Sequence, residues 1–315
     1  MNNISIALDL KNDLDTFLRN RLKRSNLMKL GIVVSDEDNK RIENEDMDTL
    51  ITLYSRLRNR LLLGRKRQVI VHKSLLNNEK YKVYKSRILK LKRALENGSS
   101  MRPYLSNKVN ELYSVDGLLL DWGMHHLHFT SCYSKDKRGN DILFIVEEDE
   151  KIHFITILTH ADFYNTDLLR YIYENCPEVI SGYKLVGVLP PAKALTTSEI
   201  RNLRKYDVAY CINFDGNTYT PSLNKNSNTR LIEAKLQLFN ILPAIEKRIV
   251  EQQNFIFKQL DDKGAINITN LSLEWIIDNK SLELQLYDKK HKVMCNFDCQ
   301  GIPNPIIILR ALNII

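Results

Sequence analysis

The chain has 315 residues, of which 43% are hydrophobic and 27% charged, and a formal net charge of +8. That length buries a substantial core and suggests two or three domains, and the composition is ordinary for a soluble globular protein. No stretch approaches the roughly 18 to 20 apolar residues needed to cross a bilayer. Met1 to Leu10 lacks the basic and apolar regions of a secretory signal, and the five cysteines are scattered and odd in number. The expectation is therefore a cytoplasmic protein with reduced thiols. Cys295 and Cys299 offer half of a zinc site, but no Cys or His pair stands at matching spacing.

The charge is unevenly placed. Residues 51–100 hold fourteen Lys or Arg against Glu79 and Glu96, a local excess of +12, so the rest of the chain is acidic. Such an excess reads either as a solvated helical face or as a surface for a polyanion, most simply RNA or DNA. Candidate contacts are Arg56, Arg60, Arg65, Lys66, Arg67, Lys85 and Arg87, with Tyr54, Tyr81 and Tyr84 interleaved as rings on which bases could stack.

In chain order, residues 1–98 read as a basic helical domain. Leu14, Phe17, Leu18, Leu22 and Leu27 form one stripe. Ser35 with Asp38 signals a helix start. Met47, Leu50, Ile51, Tyr54, Leu57 and Leu61 repeat at helical spacing, and residues 79–96 form another basic helix. Asn97-Gly98-Ser99-Ser100 is the clearest boundary. Residues 101–222 read as an α/β domain. A helix to Tyr113 and a turn at Asp116-Gly117 lead to a strand through the histidines. Asp141–Val146 and Ile152–Leu158 form a hairpin, Thr166–Glu174 a helix, Tyr183–Leu189 a strand, Thr197–Lys205 a helix, and Asp207–Phe214 a strand. Residues 228–315 open on a long amphipathic helix, or two, since Pro243 should kink it. Strand-like runs follow at 273–277, 282–287 and 292–297. The expected class is α+β. The 230–260 helix packs on the protein's own sheet or offers a face to a second copy or another protein.

Five of the seven histidines fall between residues 125 and 160. In Asp121-Trp122-Gly123-Met124-His125-His126-Leu127-His128-Phe129, strand alternation puts His126 and His128 on one face and His125 on the other. Thr159-His160-Ala161-Asp162 closes the next hairpin. His153 alternates with apolar residues and reads as structural, as does His125. Imidazole suits both proton transfer near neutral pH and metal ligation. No phosphate loop, GxSxG elbow, HExxH or kinase signature competes. Ser131 and Cys132 lie near the histidines, but nothing specifies the rest of a nucleophilic triad.

The segment from Arg102 to Glu174, with its Arg-Pro-Tyr-Leu-Ser start, Trp-Gly-x-His-His-x-His-Phe centre and terminal Thr-His-Ala-Asp, resembles uncharacterised bacterial proteins associated with phage-defence or mobile loci. Its order of histidine segment, Ile-Leu-Phe strand, polar turn and strand ending in His loosely resembles the RelE-type endoribonuclease toxins. That resemblance implies metal-free RNA cleavage on a small sheet. It departs from the toxins in basic residues: Arg138 precedes the hairpin, and no basic pair follows His160.

Three functions stay open. The first is an endoribonuclease of toxin or defence type that needs no cofactor. In it His126 or His128 is the base on the ribose 2′-hydroxyl, His160 the acid, and Arg138 a stabiliser of phosphate charge. The second is a non-catalytic regulator that binds nucleic acid, a protein partner or an inhibitor, with structural histidines. The third is a metal-dependent phosphoesterase with His126, His128, His160 and Asp162 as ligands.

Overall fold

The computed structural model describes residues 5–62, 64–132, 138–148, 150–164, 166–190, 193–206, 208–221, 227–263, 270–277, 284–288, 292–298, 300–312 and 314. The expected strand residues 282 and 283 and Cys299 lie outside them. The strands are β1 (Ser5–Ala7), β2 (Gln68–Val71), β3 (Met124–His128), β4 (Asp141–Glu147), β5 (Lys151–Thr159), β6 (Lys184–Leu185), β7 (Ile212–Phe214), β8 (Asn217–Tyr219), β9 (Asn270–Ile277), β10 (Leu284–Asp288) and β11 (Val293–Cys295). The helices are α1 (Leu10–Leu22), α2 (Arg24–Lys29), α3 (Asp36–Asn44), α4 (Met47–Leu61), α5 (Lys73–Leu76), α6 (Tyr81–Glu96), α7 (Gly117–Trp122), α8 (Thr166–Asn175), α9 (Pro177–Ile180), α10 (Thr197–Lys205), α11 (Asn228–Glu251), α12 (Gln253–Asp262) and α13 (Pro305–Ala311). The fold is α+β, as the sequence predicts. Among the described residues no helix is long and apolar enough to cross a membrane.

The chain divides into two compact units, residues 1–55 with 232–315 and residues 56–231. The expected break at 97–100 separates neither. Two long-range strand pairings explain the difference. β1 pairs in parallel with β9, joining the two ends of the chain. β2, placed by sequence in a helical domain, pairs in parallel with β5. Short strands of this kind are invisible to helical periodicity.

In the first unit, Asp9 caps α1, and Leu10, Leu14, Leu18 and Leu22 are buried along one face. The backbone N–H of Leu10 donates to Glu246 of α11 at 2.8 Å. Ser35 and Asp38 form a reciprocal capping box at α3, as their spacing predicts. β9, β10 and β11 follow β1 in one sheet. α11 runs through Pro243, and the helical run breaks later, at Gln252, before α12. Its Leu238, Leu242, Ile245 and Ile249 are core residues.

In the second unit, the sheet order is β2-β5-β4-β3. The β3–β4 and β4–β5 pairs are antiparallel, with a bulge beside Phe144 and Ile145. One face packs Leu118, Trp122, Met124, Ile142, Phe144 and Ile155 with Leu168, Leu169 and Ile172 of α8. α6 covers the other face: the Tyr84 hydroxyl donates to Asp141 at 3.0 Å, and its ring stacks on Phe129 at 4.0 Å. A small sheet of order β6-β8-β7 adjoins the first face. Several expected elements are shorter than their patterns. The 207–214 strand is reduced to β7, with Asp207 outside the described residues. Residues 102–110 form 3-10 turns around Pro103, not a helix. The 183–189 strand is reduced to β6, with Gly187 at φ +76° and Val186 and Leu189 exposed beyond it.

Candidate functional site

A sharp reversal positions the histidines. Asp116 caps α7 through its carboxylate, which accepts from the Leu119 N–H at 3.1 Å. Gly123 ends the helix at φ 64°, a left-handed conformation that glycine adopts without steric cost. The chain then enters β3 directly. Trp122 anchors the reversal. Its indole N–H donates to the Tyr210 hydroxyl at 3.1 Å, and that hydroxyl donates to Asp121 at 2.7 Å. Arg204 also pairs with Asp121.

In the β3–β4 register His126 faces Phe144 and His128 faces Ile142. In the β4–β5 register Ile142 faces Leu158. His160, two residues on from Leu158, therefore extends the same face. The three imidazoles come together with ring centroids 5.9 Å apart for His126–His128, 5.8 Å for His126–His160 and 5.1 Å for His128–His160. One nitrogen from each lies within 4.8 Å of the others. His126 and His128 are 7% and 6% exposed, whereas His160 is open to solvent.

Burial sets the protonation of the two strand imidazoles. His126 is pushed down to about 4, first by desolvation and then by His160, His125 and Arg138, with Asp116 opposing. His128 is pushed down to about 3, first by desolvation and then by Arg138, His126 and His160. Both are neutral at physiological pH. Nδ1 of His128 is buried with no hydrogen-bond partner among the described residues. A buried ring nitrogen left in this way is costly unless a hydrogen-bond partner or a cation meets it.

The other expected site residues take different positions. The Asp162 carboxylate turns away to accept from the Thr159 N–H and hydroxyl, each at 2.8 Å. It closes the turn at His160 instead of joining the cluster, a correction to the four-ligand set. Arg138 donates to the carbonyls of Leu105 at 2.9 Å and Pro103 at 3.1 Å, so its guanidinium is a loop clamp whose charge still reaches the imidazoles. His125 lies on the opposite face, 3.5 Å from Glu147. His153 hydrogen-bonds His72.

The basic set divides too. Arg60 is buried, donates to the Leu112 carbonyl at 2.8 Å and the Glu111 carbonyl at 3.1 Å, and is lowered to about 10 by burial. Arg67 is buried in an ion pair with Glu147. These two are corrected from phosphate contacts to internal braces. Arg56 is half-buried. Arg65, Lys66, Lys85 and Arg87 are exposed, and α6 adds Lys82, Lys90 and Arg93. α6 lies across the sheet from His126 and His128, because Tyr84 binds Asp141 and Phe129 on the reverse face.

A cavity of about 240 Å³ opens beside the cluster, lined among others by His126, His160, Asp116, Lys108, Arg60 and Arg204. Its lysine and two arginines give it a predominantly cationic wall. Sequence reasoning did not single out Lys108 or Asp116 as site residues. Only the 3-10 turns and the α7 cap carry them there.

Comparison with family models, with curated proteins and with solved structures found no match.

Proposed function

We propose that the second unit is a metal-dependent phosphoesterase acting on RNA, with His126, His128 and His160 as ligands of a zinc-class divalent ion. The observation that carries this reading is the convergence of three imidazole nitrogens within 4.8 Å, two of them on rings held neutral by burial. A divalent ion requires neutral imidazoles. Three nitrogens on one tetrahedral ion would stand about 3.4 Å apart at ordinary zinc–nitrogen lengths. Small rotations of exposed His160 would close that difference. Three protein ligands leave one position for water or substrate, the pattern of a hydrolytic centre rather than a closed structural one.

Depressed basicity argues for the same choice. An imidazole with a pKa of about 3 or 4 is a weak general base at neutral pH, and in its neutral form it lacks the imidazolium proton of a general acid. As a ligand the same group is ready without titration. When bound, the ion would supply Lewis acidity and an activated water. Asp116, whose carboxylate lies 3.9 Å from Nδ1 of His126, would on closer approach favour the proton there and leave Nε2 for ligation. Lys108 and the charge of Arg138 would attract and hold the substrate phosphate. Support for RNA comes from the basic face of α6 in the same unit.

The chemistry and the substrate are tested separately. Chelator-treated protein restored with zinc or manganese should hydrolyse both bis(p-nitrophenyl) phosphate and end-labelled RNA, and His128→Ala should do neither. Hydrolysis that persists fully in chelator would contradict the metal reading. Hydrolysis of the small diester without RNA cleavage would contradict RNA as the substrate.

A further inference from the structure

We propose that His72, His153 and Glu178 form a second divalent-cation site, separate from the triad and built where β2 joins β5. His72 follows the last residue of β2, and its N–H donates to the Phe154 carbonyl at 3.1 Å, extending the parallel ladder by one position. That places its ring over His153 of β5. Both rings are buried, and α9 brings the Glu178 carboxylate to them. One ligand atom from each of the three lies within 4.8 Å of the others.

Nε2 of His72 and Nδ1 of His153 face each other at 2.8 Å. The outer nitrogen of each ring has its own carboxylate. Nδ1 of His72 is 3.4 Å from Glu178, and Nε2 of His153 is 3.4 Å from Glu148. The two inner nitrogens share one N–H···N hydrogen bond. A zinc-class ion would take its place once that proton moves to its ring's outer nitrogen, beside a carboxylate, and the inner nitrogens part to about 3.4 Å. Burial lowers His72 below the ordinary imidazole range, which leaves its lone pair available. Glu178 is 56% exposed on its side chain, so it can swing to complete a set of two nitrogens and one oxygen. That donor set suits a borderline ion of the zinc class better than magnesium or calcium, which prefer oxygen.

His153 lies on β5 and His160 one residue past its end, seven residues on, a separation of roughly 20 Å at ordinary strand rise. Two ions acting on one phosphate sit about 3.5–4 Å apart, so this second ion has no part in the triad's chemistry. It would tie β2 and α9 to the central strand.

Stripped full-length protein titrated with zinc, or with cobalt for its ligand-field absorption, tests the site without an activity assay. Wild type should take up two ions per chain. The His126→Ala/His128→Ala variant should keep one, and adding His153→Ala to it should remove that one. Glu178→Gln alters only an exposed side chain, and it should weaken the second ion at least about tenfold with unchanged circular dichroism. If folded H126A/H128A binds no ion, or if Glu178→Gln and His153→Ala bind as wild type does, the second site is overturned and the histidine pair is only a hydrogen-bonded one. Failure of the triad reads differently: wild type and H126A/H128A would then bind the same single ion.

Discussion

The imidazole of His128 sits 5.1 Å, centroid to centroid, from that of His160, although the first ends one strand and the second follows the end of another. β4 lies between them and fixes the relation through Ile142, which faces His128 on one side and Leu158 on the other. A one-residue slip in either register would send one ring to the opposite face. Removing either ring should therefore damage metal binding more than folding. His128→Ala and His160→Ala should each weaken zinc binding by more than the roughly 10- to 100-fold that losing an outer-shell partner costs. Calorimetric titration of chelator-stripped protein checks this, and wild-type affinity in both variants would contradict it.

Acid should destabilise the metal-free protein through the same rings. His126 and His128 titrate at about 4 and about 3 when folded, against 6.5 for the free imidazole. Above pH 6.5 neither state holds these protons, so the two rings contribute no pH dependence. As pH falls below 6.5 the unfolded chain takes up protons that the folded one excludes. Stability then drops by up to about 1.4 kcal/mol per pH unit per ring, and the drop levels off below the folded values. Urea denaturation of chelated protein at pH 7 and pH 5 should show a steeper loss for wild type than for His126→Asn/His128→Asn. Equal losses would contradict the assignment of these rings as buried and neutral.

The reversal before β3 should be the structural weak point. Trp122 is 1% exposed and holds the network of Tyr210, Asp121 and Arg204. Trp122→Ala should cost roughly 3 to 5 kcal/mol. Tyr210→Phe, which removes the hydroxyl between the indole and Asp121, should cost about 1 to 3 kcal/mol. A thermal unfolding series checks both, and a Tyr210→Phe protein as stable as wild type would show that the network is dispensable.

The basic surface makes a two-sided prediction. Lys85→Glu, Arg87→Glu and Lys90→Glu, all at exposed positions of α6, should weaken RNA binding. Each lost phosphate contact should flatten the salt slope by about 0.7 to 0.9. Arg60→Ala and Arg67→Ala should act instead through stability, because both guanidiniums are buried in internal contacts. Fluorescence anisotropy against salt, with melting curves beside it, separates the two groups. Unchanged RNA affinity in the triple Glu variant would make α6 a solvated face.

What the sequence disclosed followed local pattern. Strand alternation placed His126 and His128 on one face, and the capping spacing of Ser35 and Asp38 marked a helix start. His72 was not legible as a neighbour of His153, because that contact depends on a parallel pairing between short strands far apart in the chain. Asp162 was misassigned for a local reason: a carboxylate three residues past a strand end can cap its own turn, and here it does. Arg60 and Arg67 looked like surface charge because composition carries no information on burial.

Metal content and hydrolysis measured on the same samples decide whether the three imidazoles hold a working ion. Wild type and His126→Ala/His128→Ala would be stripped, reconstituted with zinc, and assayed with bis(p-nitrophenyl) phosphate. The double variant should stay folded, bind one ion fewer per chain, and lose hydrolysis by at least about 100-fold. A folded double variant with the same metal content and the same rate as wild type would contradict the metal reading.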